Sequence, residues 1–301
     1  MNHFQHIDLL LRFNRAFNLR RAIETALKEG DRVMDAGCGL GILSMWAVRA
    51  GAAHVTSVDR EGVELARALA EENGLGDRIE FRHGDLWHMQ PVPTEDRVDI
   101  LLAMVYLNDP RRDESLAELS FTVKRNWLRP GGRMIPERVE YTVEALDWPE
   151  QDYPTLLHQY DKKVVQIEQQ YGLQFDALRT AINQSVDKRD FPIRLPDGTV
   201  LRPGARILSE PMTFCDIDYT APGFEYPAQI DLPVICPGTA TVLLWTQKLW
   251  FQDLLLFRNE SITWIQNPTS VKSGSILRAA MDDTWRKVNR VRVELLAGDG
   301  L

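Results

Sequence analysis

Cysteine is scarce. Cys38, Cys215 and Cys236 are the only three in 301 residues, an odd count with no Cys-x-x-Cys pair. That excludes a disulfide framework and a zinc knuckle, and reads as reduced thiols in a cytoplasmic protein. The six histidines form no His-Glu-x-x-His or comparable pair, so no metal is expected. Long apolar runs are missing from the start of the chain: Leu9-Leu10-Leu11 meets Arg12 at once, too short for a membrane span. Met1-Asn2-His3-Phe4-Gln5-His6 does not read as a signal peptide. Positive charge is also short: 35 Lys and Arg against 43 Asp and Glu give a net charge of -8. Nucleic acid, which calls for a basic surface, is not an expected partner, and neither is a membrane. No repeat and no low-complexity segment occurs.

What is present is a strand–helix alternation. Residues 7–29 carry Leu10, Phe13, Phe17, Leu19 and Ile23 near helical spacing and predict an amphipathic helix. Strands are predicted at 32–36, 54–59, 78–83 and 98–103, with helices at 42–50, 61–73 and 113–127 between and after them. Arg129-Pro130-Gly131-Gly132 reads as a turn. Such alternation means a parallel α/β sheet. Beyond 136 the pattern changes. Residues 137–146 alternate as a half-buried strand, 153–187 look helical, and short strands follow at 199–202, 205–209, 211–219, 240–250, 253–257, 260–265, 274–280 and 286–295. The fold class is therefore α/β: a Rossmann-like doubly wound sheet over 1–136, then an antiparallel β-barrel or sandwich over 137–301 with a helical stretch at about 153–187.

The chemistry sits in Val33-Met34-Asp35-Ala36-Gly37-Cys38-Gly39-Leu40-Gly41-Ile42-Leu43-Ser44. An apolar strand ends in an acid and enters a loop with glycine at alternate positions. His54-Val55-Thr56-Ser57-Val58-Asp59 repeats the strand-then-acid arrangement. Ligands bind doubly wound sheets beyond the carboxyl ends of the strands. A dinucleotide loop requires Gly-x-Gly-x-x-Gly; here the spacing is Gly-x-Gly-x-Gly, and no pyrophosphate has to be cradled. These residues point to S-adenosylmethionine. Gly37, Cys38, Gly39 and Gly41 would form the loop, with Ile42 and Leu43 opening the helix behind it. Asp59, followed by Arg60, would accept the ribose hydroxyls; the bland alternative is a strand-end acid that caps a helix. Asp35 would lie near the methionine part, or merely stabilise a turn. In Gly84-Asp85-Leu86, Asp85 would take the adenine amino group, while Trp87 more often packs than stacks.

On these residues the chain resembles the protein arginine methyltransferases over most of its length. The glycine loop is very close to that family's cofactor motif. Arg129-Pro130-Gly131-Gly132 with Ile135-Pro136 resembles its passage from Rossmann domain to barrel. Arg15-Ala16-Phe17-Asn18-Leu19-Arg20-Arg21-Ala22-Ile23 looks like its N-terminal helix, which implies that Arg15 reaches the cofactor carboxylate; otherwise Arg15 is one more arginine on a solvated face. The helical stretch 153–187 sits where that family inserts a dimerisation arm into its antiparallel β-barrel, which implies a barrel over 137–301 and a homodimer. The loop is also similar to that of ribosomal-protein lysine methyltransferases, but the long β region fits the arginine family better.

The resemblance further implies two glutamates after the fourth strand, to grip a guanidinium. Ala103-Met104-Val105-Tyr106 stands at the first position without a carboxylate. The second matches Glu114-Ser115 if one residue is inserted; Glu114 is otherwise an acid favoured in a helix's first turn. A Thr-His-Trp motif would align with Ile262-Thr263-Trp264, without the histidine. Glu114 and Tyr106 are the candidate catalytic residues, and Arg111-Arg112 are expected to face solvent. The expected activity is methyl transfer from S-adenosylmethionine to a nitrogen or oxygen of a small molecule or peptide. The alternatives are protein arginine methylation with Asp109 or Asp113 as second acid, and a non-catalytic cofactor-binding scaffold.

Overall fold

A computed structural model describes residues 9–148, 164–165, 168–177, 193–194, 197–201, 204–288 and 290–296. Most of the predicted arm at 153–187 lies outside them. The chain divides into two compact units. The first comprises Met1–Tyr141, Cys215–Tyr226 and Gln247–Asn259; the second comprises Thr142–Phe214, Pro227–Thr246 and Glu260–Leu301.

The first unit holds a five-stranded parallel sheet. Its strands are β1 (Arg32–Ala36), β2 (His54–Asp59), β3 (Ile79–His83), β4 (Val98–Leu102) and β5 (Leu128–Ile135), in the order β3-β2-β1-β4-β5. All four pairings are parallel. The strand order reverses between β1 and β4, which opens a crevice at their carboxyl ends. β4 is buried at all five positions and β1 at its last four, as befits strands covered on both faces. Four helices of this unit are α1 (Phe13–Ala26), α2 (Ile42–Arg49), α3 (Val63–Glu72) and α4 (Pro110–Trp127). α1 buries Leu19, Ala22, Ile23 and Ala26, one stripe at helical spacing.

Three local departures have clear causes. α4 starts at Pro110 rather than at 113. Asp109 caps it by accepting the Arg111 N–H, and a proline at the first helical position has no N–H to lose. Arg129-Pro130-Gly131-Gly132 does not end the strand but bulges inside β5. The register jumps from Val98 opposite Leu128 to Ile100 opposite Arg133, and Gly131 takes a φ of 74°. The turn signal is thus absorbed within a strand. The run expected as a strand at 286–295 opens as helix α5 (Asp283–Val288), where Asp282 accepts the Thr284 and Trp285 N–H groups at 2.8 and 3.3 Å.

The second sheet is mostly antiparallel. It contains β6 (Arg138–Asp147), β10 (Met212–Asp218), β11 (Gln229–Pro233), β12 (Gly238–Phe251), β13 (Leu254–Val271), β14 (Ile276–Ala280) and β15 (Arg290–Leu296), in the order β10-β6-β12-β13-β15-β14-β11. β9 (Arg206–Ile207) adds to β6, while β7 (Ile193–Arg194) and β8 (Val200–Leu201) form a separate pair. A bridge between Ser209 and Val234 joins chain ahead of β10 to chain past β11. These are the two ends of the strand order, so the sheet curls onto itself as a barrel does. The two strands expected at 253–257 and 260–265 are a single β13. Asn259, between them, and Glu260, at the start of the second, are buried and bonded within it. Trp148 stacks on Trp264, centroids 6.0 Å apart, in a core with Leu146, Val242, Leu244 and Ile262.

Candidate active site

The glycine loop between β1 and α2 is held by its own backbone. Gly37, Gly39 and Gly41 take φ values of 78°, 55° and 71°, a region that side chains with a Cβ enter at a cost. The Gly37 and Cys38 N–H groups donate to the Val58 carbonyl at 2.8 and 3.1 Å. Asp59 braces the loop from the end of β2, one oxygen accepting the Gly39 N–H at 2.8 Å and the other the Glu61 N–H at 3.1 Å. Two N–H groups leave capacity on a carboxylate that offers about four lone-pair sites. Behind the loop α2 is capped by Gly41, which brings no side chain to that helix end, and Ile42 and Leu43 are half-buried there.

Asp35 does not stabilise a turn. It is buried, and its Oδ2 accepts the Ser44 hydroxyl at 2.6 Å; Ser44 Oγ lies 2.7 Å from Ser57 Oγ. Its Oδ1 is buried with no partner. Burial pushes the carboxyl up to about 6, the Ser44 hydrogen bond pulls it down, and the charge of Asp59 raises it again. Such an orphaned oxygen costs about 1–3 kcal/mol or more until a donor arrives. A cationic amino group beside the glycine loop supplies that donor, so these residues fit the amino-acid end of S-adenosylmethionine.

The other cofactor candidates are spread around this edge. The Gly84 N–H donates to the Asp59 carbonyl at 2.9 Å. Asp85 accepts the Trp87 N–H at 3.0 Å and its other oxygen lies 3.4 Å from His88 Nδ1. Leu86 is buried and Arg60 is exposed. Trp87, expected to pack, is 47% exposed. The Cys38 thiol is pushed upward, chiefly by burial and then by Asp35 and Asp59, so it stays protonated. Arg15 is not on a solvated face. It is half-buried with its guanidinium 4.9 Å from the Phe257 ring centroid, and burial followed by the charge of Arg12 lowers it to about 10.

The segment 103–109 after β4 lies against the glycine loop: a Cβ on Gly37 would stand 3.1 Å from Val105 Cγ1. Tyr106 is in this segment, its hydroxyl buried with no partner. Three acids follow, in different states. Asp109 is neutralised by Arg111, which reaches it with Nε at 2.9 Å and Nη2 at 2.7 Å. The Arg111 side chain is 15% exposed, so only Arg112 of that pair faces solvent as expected. Asp113 is fully buried. It accepts the Leu107 N–H at 2.9 Å, the Gln247 amide at 2.9 Å and the Tyr141 hydroxyl. Burial pushes it up to about 6 against the pull of Tyr141 and the Leu107 N–H. Glu114 is half-buried, and its charge, with those of Asp113 and Asp109, acts on Tyr226.

Sequence reasoning did not single out Tyr141, Gln247, Asn259, Phe257 or Tyr226. They reach α1, α4 and segment 103–109 from remote strands, and no local pattern marks them. Gln247 had one available signal: a polar side chain inside the long apolar run 240–250. Ile262-Thr263-Trp264 belongs to the second unit. All three are buried, and Thr263 accepts the Trp245 indole at 2.9 Å within the second unit. Among the described residues no cluster of His, Cys, Asp or Glu is arranged to hold a metal, and no helix is long and apolar enough to cross a membrane.

A parallel sheet in this order, with an acid at the end of β1, a glycine loop and an acid at the end of β2, defines the class I methyltransferases, whose cofactor is S-adenosylmethionine. Residues 33–132 match the family model described as a methyltransferase domain. The chain is 29% identical over 148 residues to the probable protein arginine N-methyltransferase 6 of Arabidopsis thaliana, covering 48% of this chain and 33% of that one. It is 32% identical over 148 residues to protein arginine N-methyltransferase 1 of Schizosaccharomyces pombe, covering 49% and 40%. The match thus spans a minor part of either relative's length. In fold it is similar to Arabidopsis thaliana protein arginine methyltransferase 10, with a TM-score of 0.63 at 19% identity over 99% of this chain and 95% of that one. It is also similar to a chain of the Trypanosoma brucei PRMT1 enzyme-prozyme complex with AdoHcy, with a TM-score of 0.66 at 20% identity over 93% and 88%. Residues 33–132 thus carry a methyltransferase domain, and the chain has a fold like that of the protein arginine methyltransferases.

Proposed function

We propose that this chain methylates a nitrogen that arrives as a cation, with a peptidyl guanidinium as the leading acceptor. The observation that carries this is Glu114, a half-buried acid near the start of α4 beside the segment that touches the glycine loop; its neighbours Asp109 and Asp113 are engaged by Arg111 and by Tyr141, Gln247 and the Leu107 N–H. The arginine methyltransferases among the relatives support the guanidinium. A second reading, a small-molecule amine or hydroxyl, is favoured by Ala103-Met104-Val105-Tyr106 having no carboxylate and by Asp113 being turned inward.

S-adenosylmethionine supplies a methyl group already activated on a sulfonium sulfur, so the chain's task is positioning and exclusion of water. In this reading Asp59 takes the ribose hydroxyls, Asp35 the amino group through Oδ1, Arg15 the carboxylate and Asp85 the adenine amino group. Glu114 steers the cationic acceptor and receives its proton. A guanidinium keeps its charge in water, so that acid is needed to localise charge and expose a nitrogen lone pair. The Tyr106 hydroxyl completes the acceptor side. We keep as part of this reading the homodimer, from the resemblance, and a cytoplasmic location, from the few unpaired cysteines; sedimentation at micromolar protein tests the first, and a monomer there removes it.

The activity test is transfer of labelled methyl from S-adenosylmethionine into an arginine-rich peptide and into the small-molecule fraction of a lysate, with Asp59→Ala as control. Label in the peptide establishes the guanidinium reading. Label confined to small molecules establishes the second. No transfer to either refutes both.

A further inference from the structure

Asp113 is the most enclosed acid of the acceptor side, and its surroundings are unusual. Three donors converge on one carboxyl: the Leu107 N–H on Oδ1, and the Gln247 amide and Tyr141 hydroxyl on Oδ2. Gln247 also donates to the Tyr141 hydroxyl oxygen, which closes a triangle. Gln247 Oε1 accepts from Asn259 at 3.4 Å, and Asn259 accepts from Arg12 at 2.7 Å at the residue before α1. Asp113, Tyr141, Gln247 and Asn259 are all buried. A carboxylate buried this deeply is costly and is retained only with its donors in place. Of those donors, Leu107 belongs to the segment between β4 and α4, where the Asp109 backbone also acts on the carboxyl, and it follows Tyr106 directly.

We propose that Asp113 is a positioning residue that locks segment 103–109 through the Leu107 N–H, and thereby sets how Tyr106 and Glu114 meet the methyl acceptor. The lock runs from β6 and β12, through Tyr141 and Gln247, to the Leu107 N–H in the middle of the segment. Asp113 touches neither cofactor nor acceptor in this role. The inference rests on the reading above that this segment faces the acceptor.

The test compares the whole chain with Asp113→Ala, Asp113→Asn and Gln247→Ala. Hydrogen–deuterium exchange of residues 104–109 is measured without substrate, S-adenosylhomocysteine affinity by calorimetry, and methyl transfer with an arginine-glycine peptide and a panel of primary amines as probes. Asp113→Ala should exchange the segment about tenfold faster or more, the loss of a charge-assisted hydrogen bond. It should raise the acceptor KM by a similar factor while leaving S-adenosylhomocysteine affinity unchanged. Asp113→Asn, which can still accept the Leu107 N–H, should recover most of both. Gln247→Ala should give a smaller effect in the same direction, and it decides the matter should Asp113→Ala not fold. Unchanged exchange in these variants overturns the proposal. So does fast exchange with an unchanged acceptor KM, or an equal loss of cofactor affinity. If the unaltered chain transfers methyl to neither probe, the functional reading fails, while the exchange arm still decides whether Asp113 holds the segment.

Discussion

Lowering the pH should weaken cofactor binding through one atom, Asp35 Oδ1. This carboxyl titrates at about 6 because it is buried, and its second oxygen has no donor in the protein. An amino group of the cofactor favours only the ionised form. Cofactor affinity is therefore full above the folded value and falls as pH drops through it. With a value of about 6, going from about pH 7.5 to about pH 5 should raise the Kd of S-adenosylhomocysteine roughly tenfold, or about 1.4 kcal/mol. Calorimetry at the two pH values measures it, since that ligand's amino group stays protonated in both. Asp113 titrates in the same window, so the control is Asp35→Asn. Asparagine keeps an oxygen for the Ser44 hydroxyl and loses the charge. Its Kd should sit near the weak acid-side value and hardly move with pH. A flat Kd in the unaltered chain, or an equally steep one in Asp35→Asn, refutes the reasoning.

Asp113 makes a prediction about stability. Its folded value of about 6 lies above the unfolded one, so between the two the folded state holds the extra proton and acidification stabilises the fold. From about pH 7 to about pH 5 this group should add about 1.3 kcal/mol, which urea unfolding of Asp113→Asn should show as missing. Gly37→Ala should cost more than Gly62→Ala. Both glycines have positive φ, but only at Gly37 would a Cβ meet a neighbour, Val105 Cγ1 at 3.1 Å. The shared backbone penalty is about 1–2 kcal/mol, and thermal unfolding of the two variants isolates the difference. Glu114→Gln should reduce methyl transfer to the accepted probe by about a hundredfold or more while S-adenosylhomocysteine affinity holds; equal transfer rates would remove Glu114 from the chemistry.

The cofactor side was readable because it is local. β4 is a mostly apolar run, β1 and β2 each carry an acid at or near their ends, and Asp35, the three glycines and Asp59 lie within 25 consecutive residues. The acceptor side was read less well because its order depends on remote strands. Asp113 is bonded to residues 28 and 134 positions away, so nothing near it marks a buried acid. Asn259 looks like a break between two strands until Arg12 is known to bond it. Arg111 looks solvated until its fork closes on the cap of its own helix. Periodicity sees the nearest few residues, and these side chains are placed by chain far beyond that range.

The first unit is assembled from three separate stretches, and the last of them ends at Asn259. This has a consequence for synthesis. When the ribosome has made the five strands of the parallel sheet, Tyr219 and Phe224, which cover Phe121 on α4, do not yet exist. Asp113 then has Leu107 but still lacks Tyr141 and Gln247. The cofactor edge can form early from local contacts, whereas the acceptor edge must wait for chain more than a hundred residues downstream. A nascent chain therefore becomes able to hold its cofactor well before its acceptor side is in place. A fragment ending at Tyr141 would remain at that halfway stage permanently.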